Sequence, residues 1–187
     1  MSKFEISLFM GKSILENQKD IVDLRIEILE NSPYTYKIQK EDEQEYIKKF
    51  AKIKDSIIVT LKDNNKIVAM LNAIPLIYEN QEILLVWSKT EFEVNSIYYF
   101  KEILISHQYN RIELKQEILN TAQDWIKGFN KYNFFITSIT NVDENSTIKE
   151  QFYRDNLYDK LDIKANSRYI RREDNQNNKL HFWIKKI

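Results

Sequence analysis

The chain has 187 residues and carries 28 basic against 28 acidic side chains, a formal net charge of zero. That balance supplies neither the basic excess expected of a nucleic-acid binder nor an acidic tail for a basic partner. There is no cysteine, which excludes disulfides, thiol catalysis and cysteine-ligated metals, and with only two histidines, His107 and His181, no metal site is expected.

The elements follow in chain order. Phe4 to Met10 reads as a short strand. Leu15 to Glu30 carries Ile21, Leu24 and Ile28 at helical spacing. Asn31-Ser32-Pro33 ends that helix, since the residue before proline is driven out of the helical region. A second helix is predicted over Glu41 to Lys52. Ser56 to Leu61 and Ile67 to Leu76 are apolar runs joined by the polar turn Lys62-Asp63-Asn64-Asn65-Lys66, which predicts a hairpin. Ile83 to Trp87 is expected to be a strand, followed by a polar stretch to Ser96. Ile97 to Ile105 is a strongly apolar strand with Glu102 inside it.

Asn110 to Phe129 repeats Leu114, Ile118, Ala122, Trp125 and Phe129 every three or four residues, and Gly128 stands where a helix C-cap glycine is expected. Asn133 to Thr140 reads as a strand and Asp143 to Leu161 as a helix. Ser167 to Arg172 and Lys179 to Ile187 are expected as two closing strands across the turn Asn175 to Asn178. The order β-α-α-β-β-β-β-α-β-α-β-β predicts one α/β domain, or α+β with a mixed sheet, over residues 1–187. Ile97 to Thr140 forms a βαβ unit within it. The first ten residues lack a signal-peptide pattern and no apolar run approaches the ~20 residues of a membrane span. A cytoplasmic protein with no membrane or nucleic-acid partner is therefore expected. Two glycines and two prolines are few against usual shares of about 7% and 5%. Abundant Ile, Lys and Asn fit an AT-rich coding bias.

Several segments resemble one family. Ser32 to Lys37 (SPYTYK) followed by Glu41 to Ile47 (EDEQEYI), then Lys66 to Leu76, Tyr98 to Ile105 and Lys179 to Ile187, occur in the order found in the GNAT superfamily of N-acetyltransferases. The resemblance implies a GNAT-like fold: a mostly antiparallel central sheet with one parallel, splayed strand pair, flanked by about four helices. It implies acetyl-CoA as acyl donor and a small-molecule or protein amine as acceptor. Backbone N–H groups of Ile103, Leu104 and Ile105 match the strand that holds the thioester and pantetheine arm. The family's pyrophosphate loop, Arg/Gln-x-x-Gly-x-Gly/Ala, corresponds to Asn110-Arg111-Ile112-Glu113-Leu114-Lys115. There the glycine positions hold Glu113 and Lys115, and a one-residue shift does not restore the motif. Ile38 and Lys101 also stand at expected glycines, as does Ala69, a milder change.

A Glu113 carboxylate beside a pyrophosphate repels it, whereas Arg111 and Lys115 attract it. Acidic residues also favour a first helical turn without any ligand. Two readings follow: an acyltransferase whose side chains have replaced the glycine cradle, or an inactive GNAT-like binding module that has lost acetyl-CoA. A third is a structural subunit dimerising through a sheet edge or aromatic face.

Glu102, ionisable within an apolar strand, is the expected general base; strand alternation pointing it to solvent is the alternative. The resemblance places a general-acid tyrosine after the second splay strand, so Tyr153, ahead of Tyr158, is expected there, with core packing as the competing role. Tyr34 and Tyr36 stand where the family builds its acceptor wall, or they anchor a turn around Pro33. His107 reads as a loop residue, and His181 as facing solvent or the acceptor cleft. Trp87, Trp125 and Trp183 read as core or half-buried anchors. Arg168 to Arg172, followed by Glu173 and Asp174, reads as a solvated strand end.

Overall fold

A computed structural model describes residues 4–30, 39–140, 146–166 and 179–187. Seven strands form one mixed sheet: β1 (Glu5–Met10), β2 (Ile57–Asp63), β3 (Lys66–Pro75), β4 (Ile97–Ile105), β5 (Phe134–Thr140), β6 (Asp159–Asn166) and β7 (Lys179–Lys186). Their hydrogen-bonded order is β1-β2-β3-β4-β5-β7-β6. Five α-helices lie among the described residues: α1 (Gln18–Glu30), α2 (Lys40–Ala51), α3 (Gln81–Trp87), α4 (Ile112–Lys127) and α5 (Ser146–Asp155). None is long and apolar enough to cross a membrane.

Contacts divide the chain into two units, Met1–Ile74 with Lys101–Gly128, and Pro75–Phe100 with Phe129–Ile187. The chain passes from the second unit back to the first within β4.

In the first unit β1, β2 and β3 run antiparallel. Asp63 pairs with Lys66, so the hairpin loop is Asn64-Asn65, with φ of 48° and 67°. Two consecutive left-handed residues make the type I′ turn that matches strand twist, and asparagine tolerates that region better than other non-glycine residues. After its first residue β3 is buried throughout, which explains why its sequence reads as a continuous apolar run. Ile21 and Leu24 of α1 and Ile47 and Phe50 of α2 pack with Ile58, Met70 and Ile74 of the strands. Each such fully buried side chain contributes about 1.5–3 kcal/mol.

In the second unit β4 and β5 pair in parallel from Ile97↔Phe134 to Phe100↔Thr137. Both strands continue beyond the last pair, β4 to Ile105 and β5 to Thr140. β5–β7 and β7–β6 are antiparallel. The core here is aromatic: Trp87 meets Phe182 edge-on at 5.4 Å, and Phe100 lies 5.1 Å from Phe135.

Two expectations are corrected. Ile83 to Trp87 is helical, not extended: the Asn80 side chain accepts a hydrogen bond from Ile83 N and starts a helix that a short apolar run alone does not distinguish from a strand. The helix expected to reach Leu161 stops at Asp155. Leu157 turns left-handed (φ 63°) and the chain enters β6, so Tyr158 is not helical. The chain then forms the strand Asp159–Asn166, and residues 167–178, with the expected strand and turn, lie outside the described residues. Gly128 is the C-cap residue of α4, as expected, in right-handed geometry (φ −59°), and the left-handed residue beyond it is Asn130 (φ 49°). Trp87 and Trp183 are fully buried, whereas Trp125 is 48% exposed.

Candidate functional site

Glu102 is the focus of the first unit's polar interior. Strand alternation turns it inward rather than fully to solvent, leaving its side chain 19% exposed. Arg25 of α1, 2% exposed, donates from its NH1 nitrogen to Glu102 Oε1 and from Nε to Glu43 Oε2 of α2, both at 2.5 Å. Asn72 of β3, fully buried, donates from Nδ2 to the same Glu102 Oε1 at 2.7 Å and to Tyr46 Oη at 3.4 Å. The Arg25 guanidinium lies over the Tyr46 ring, 4.5 Å from its centroid.

The electrostatics follow from this geometry. Burial pushes the Glu102 carboxyl upward. The Arg25 charge and the hydrogen bonds from Arg25 and Asn72 outweigh burial and hold it below the usual carboxylate range. Burial opposes the charge on Arg25, and the two glutamates reverse that, so its pKa lies well above the ordinary value. Glu102 is thus ionised at neutral pH. Both of its hydrogen bonds among the described residues fall on Oε1.

β4 then delivers the chain to α4. Ser106 N donates to Val68 O at 2.9 Å and its hydroxyl donates to Glu27 Oε1; Tyr109 Oη donates to Asp63 Oδ2 at 2.9 Å. These bonds fix the loop. Tyr109, Asn110 and Arg111 spend their backbone N–H groups on local carbonyls, and the first intrahelical bond is Lys115 N to Arg111 O. The amides of Ile112, Glu113 and Leu114 precede it, and no side chain caps them. Asn110, Arg111, Ile112 and Glu113 are exposed, Lys115 is half-buried and Leu114 is buried. Of the expected thioester-strand residues, Ile103 and Leu104 are half-buried and Ile105 buried.

In the second unit Tyr153 of α5 is buried beside Phe152 and Tyr158, with ring centroids 5.3 and 5.5 Å away. Burial raises its pKa, and a hydrogen bond with Thr137 offsets that only in part. His181 of β7 is half-buried, with Nε2 enclosed and lacking a hydrogen-bond partner. Burial, then Lys160 and Lys164, lower its pKa, so the neutral ring is favoured. His107 lies exposed in the turn after β4. Tyr34, Tyr36 and Ile38 lie outside the described residues.

The first unit therefore brings Glu102, the β4 end and the α4 start onto one stretch of chain. Three residues of the site had no role in the sequence reading: Arg25, Glu43 and Asn72. A signal for two of them exists. Arg25 falls between Leu24 and Ile28 on a helix face that buries apolar residues, and Asn72 interrupts a buried apolar strand.

No protein-family model and no curated protein sequence matches the chain. Solved structures do. A GNAT-family acetyltransferase from Streptococcus pneumoniae is 12% identical with a TM-score of 0.69, covering 99% of this chain and 100% of that one. NAA60 of Arabidopsis thaliana in complex with acetyl-CoA is 11% identical (TM-score 0.67, 99% of each chain). The yncA protein of Salmonella typhimurium, solved with its cofactor acetyl-CoA, is 6% identical (TM-score 0.63, 98% of this chain and 93% of that one). The chain has the GNAT acetyltransferase fold.

Proposed function

We propose that the protein is an N-acyltransferase that moves an acetyl group from acetyl-CoA to a primary amine by direct attack. The observation that carries this reading is the uncapped start of α4. The amides of Ile112, Glu113 and Leu114 are unspent, and Arg111 stands exposed beside them. A helix N-terminus of this kind favours phosphate through its N–H groups and its dipole, and Arg111 and Lys115 add side-chain charge where the family uses glycine. Glu113 is exposed at the same place, so its carboxylate can turn into solvent away from a bound anion. The β4 residues Ile103, Leu104 and Ile105 would hold the pantetheine arm and the thioester.

In this proposal the amine nitrogen attacks the thioester carbonyl carbon, the C–S bond breaks, and coenzyme A leaves as a thiolate. Glu102, ionised at neutral pH and with no hydrogen bond on Oε2 among the described residues, takes the amine proton directly or through water. Tyr153, whose raised pKa keeps its proton in place, supplies one to the thiolate. Tyr34 and Tyr36 belong to the acceptor wall. The acceptor is a small-molecule or protein amine, and a cytoplasmic location is part of the same reading.

The carboxylate of Glu113 in the first turn of α4 favours a second reading, a domain that keeps the fold and has lost the cofactor. Calorimetric titration with acetyl-CoA, with desulfo-CoA and ADP as controls, separates the two. Micromolar binding is expected, followed by transfer that Glu102→Gln slows about 10²-fold or more. A folded protein that ignores millimolar acetyl-CoA sinks the enzyme reading and moves the search to protein partners.

A further inference from the structure

The sheet ends in two edge strands, β1 and β6, and they are built differently. β6 sets Asp159, Lys160, Asp162 and Lys164 along its length and breaks register between Lys160 and Lys164. Charges and irregular register both stop another strand from adding. β1 has one charge, Glu5, no proline and an unbroken register with β2. The direction of its backbone groups follows from two contacts. Gly11 N donates to Ser56 O at 3.0 Å, so Gly11 faces the β2 side. Facing alternates along an antiparallel ladder, so Phe9, Ser7 and Glu5 also face β2, while Met10, Leu8 and Ile6 turn their N–H and C=O groups outward. Met10 obeys this: its N–H donates to Ser13 Oγ and its carbonyl accepts from the same hydroxyl, both at 3.0 Å. Ser13 thus closes the edge at Met10. Among the described residues, Ile6 and Leu8 have no strand on their outer side.

We propose that the open edge of β1 takes β1 of a second copy of this chain, antiparallel, about a two-fold axis at Ser7. The inference does not depend on the acyltransferase reading. The open stretch is complementary to itself. With the axis at Ser7, Ile6 of each copy lies opposite Leu8 of the other, and the two pairs exchange four backbone hydrogen bonds. Sliding the copies by two residues sets Ile6 or Leu8 against itself, and β1 then exchanges two bonds, because the Met10 groups are already spent on Ser13. Charge agrees with this register. Glu5 of each copy falls opposite Phe9 of the other, so the carboxylates do not face each other, and the small Ser7 side chains meet at the axis. A contact this short makes a dimer that depends on concentration.

The test is sedimentation equilibrium of the full chain from micromolar to millimolar concentration, with amide exchange followed by NMR in the same range. A dimer is expected, with the Ile6 and Leu8 amides gaining protection as it forms while the Phe9 amide, already held by β2, stays as it was. Ser7→Glu and Ser7→Lys each bring like charges together at the axis and are expected to weaken the dimer about fivefold. An equimolar mixture of the two variants is expected to restore it, which also shows that both fold. If they do not fold, Ile6→Pro replaces them: its N–H points away from β2, so no bond within the chain is lost, and dimerisation is expected to weaken about tenfold or more. A chain that stays monomeric at millimolar concentration overturns the inference and leaves the edge to a strand from another protein. A dimer that leaves Ile6 and Leu8 exchange unchanged overturns it too, as does a mixture no tighter than either variant alone.

Discussion

The two units solve the same problem with different interiors. The first packs aliphatic side chains around a charged cluster, Arg25 between Glu43 and Glu102. The second packs rings against rings, with Trp87, Tyr99 and Phe182 at its centre and tyrosines around α5. An aromatic interior tolerates small rearrangements, because dispersion and burial carry no strict direction. A buried ion cluster does not, because losing one member strands the others. The first unit is thus the more brittle, and the brittle part is where the candidate chemistry lies.

Removing the central cation should break that contrast most sharply. Arg25→Met leaves two carboxylates facing one another and is expected to cost about 3–5 kcal/mol in urea unfolding. Adding Glu43→Gln and Glu102→Gln should restore much of the loss; a single variant as stable as the parent would mean the cluster holds nothing together. Acid should expose the same difference with a smaller effect. Glu102 is depressed by Arg25 and Asn72 against the pull of burial, and Glu27 by its bonds from Ser106 and Lys66. Both values lie below those of the unfolded chain, about 4.3. Their contribution is therefore complete above that pH and is lost as pH falls through the folded values. Urea midpoints measured downward from pH 5 should decline, and Glu102→Gln should flatten the decline.

The smallest effect sits in the second unit. Leu157 holds a left-handed backbone at 76% exposure, so its side chain packs little while its conformation is unfavourable. Leu157→Gly should stabilise by about 1 kcal/mol, read from the thermal midpoint; a loss instead would mean that the exposed leucine packs on something.

Much of the architecture was legible because period and burial agree. The α4 repeat, the β2–β3 hairpin and the strand–helix–strand from Ile97 to Thr140 each follow from side-chain spacing that one buried face enforces. The misses share a cause. Ile83 to Trp87 is too short for its period to decide between helix and strand. The end of α5 is marked by Leu157 where a glycine would have announced it. Left-handed positions filled by Asp55, Asn64, Asn65 and Asn130 show how a chain with two glycines makes its turns, and only the Asn-Asn pair stood out in the sequence. At the site, Glu102 was visible as an ionisable residue in an apolar strand. Its partners Arg25, Glu43 and Asn72 come from three other elements and meet only when the unit folds.

The placement of the tryptophans gives each unit its own optical signature. Trp87 and Trp183 are sealed in the second unit, with indole N–H groups that meet no acceptor, so their emission belongs at short wavelength. Trp125 stands half in water on α4 of the first unit and emits further to the red. A red shift on denaturation therefore follows the aromatic unit, while loss of the ion cluster in the other passes almost unseen by fluorescence and must be followed through the backbone.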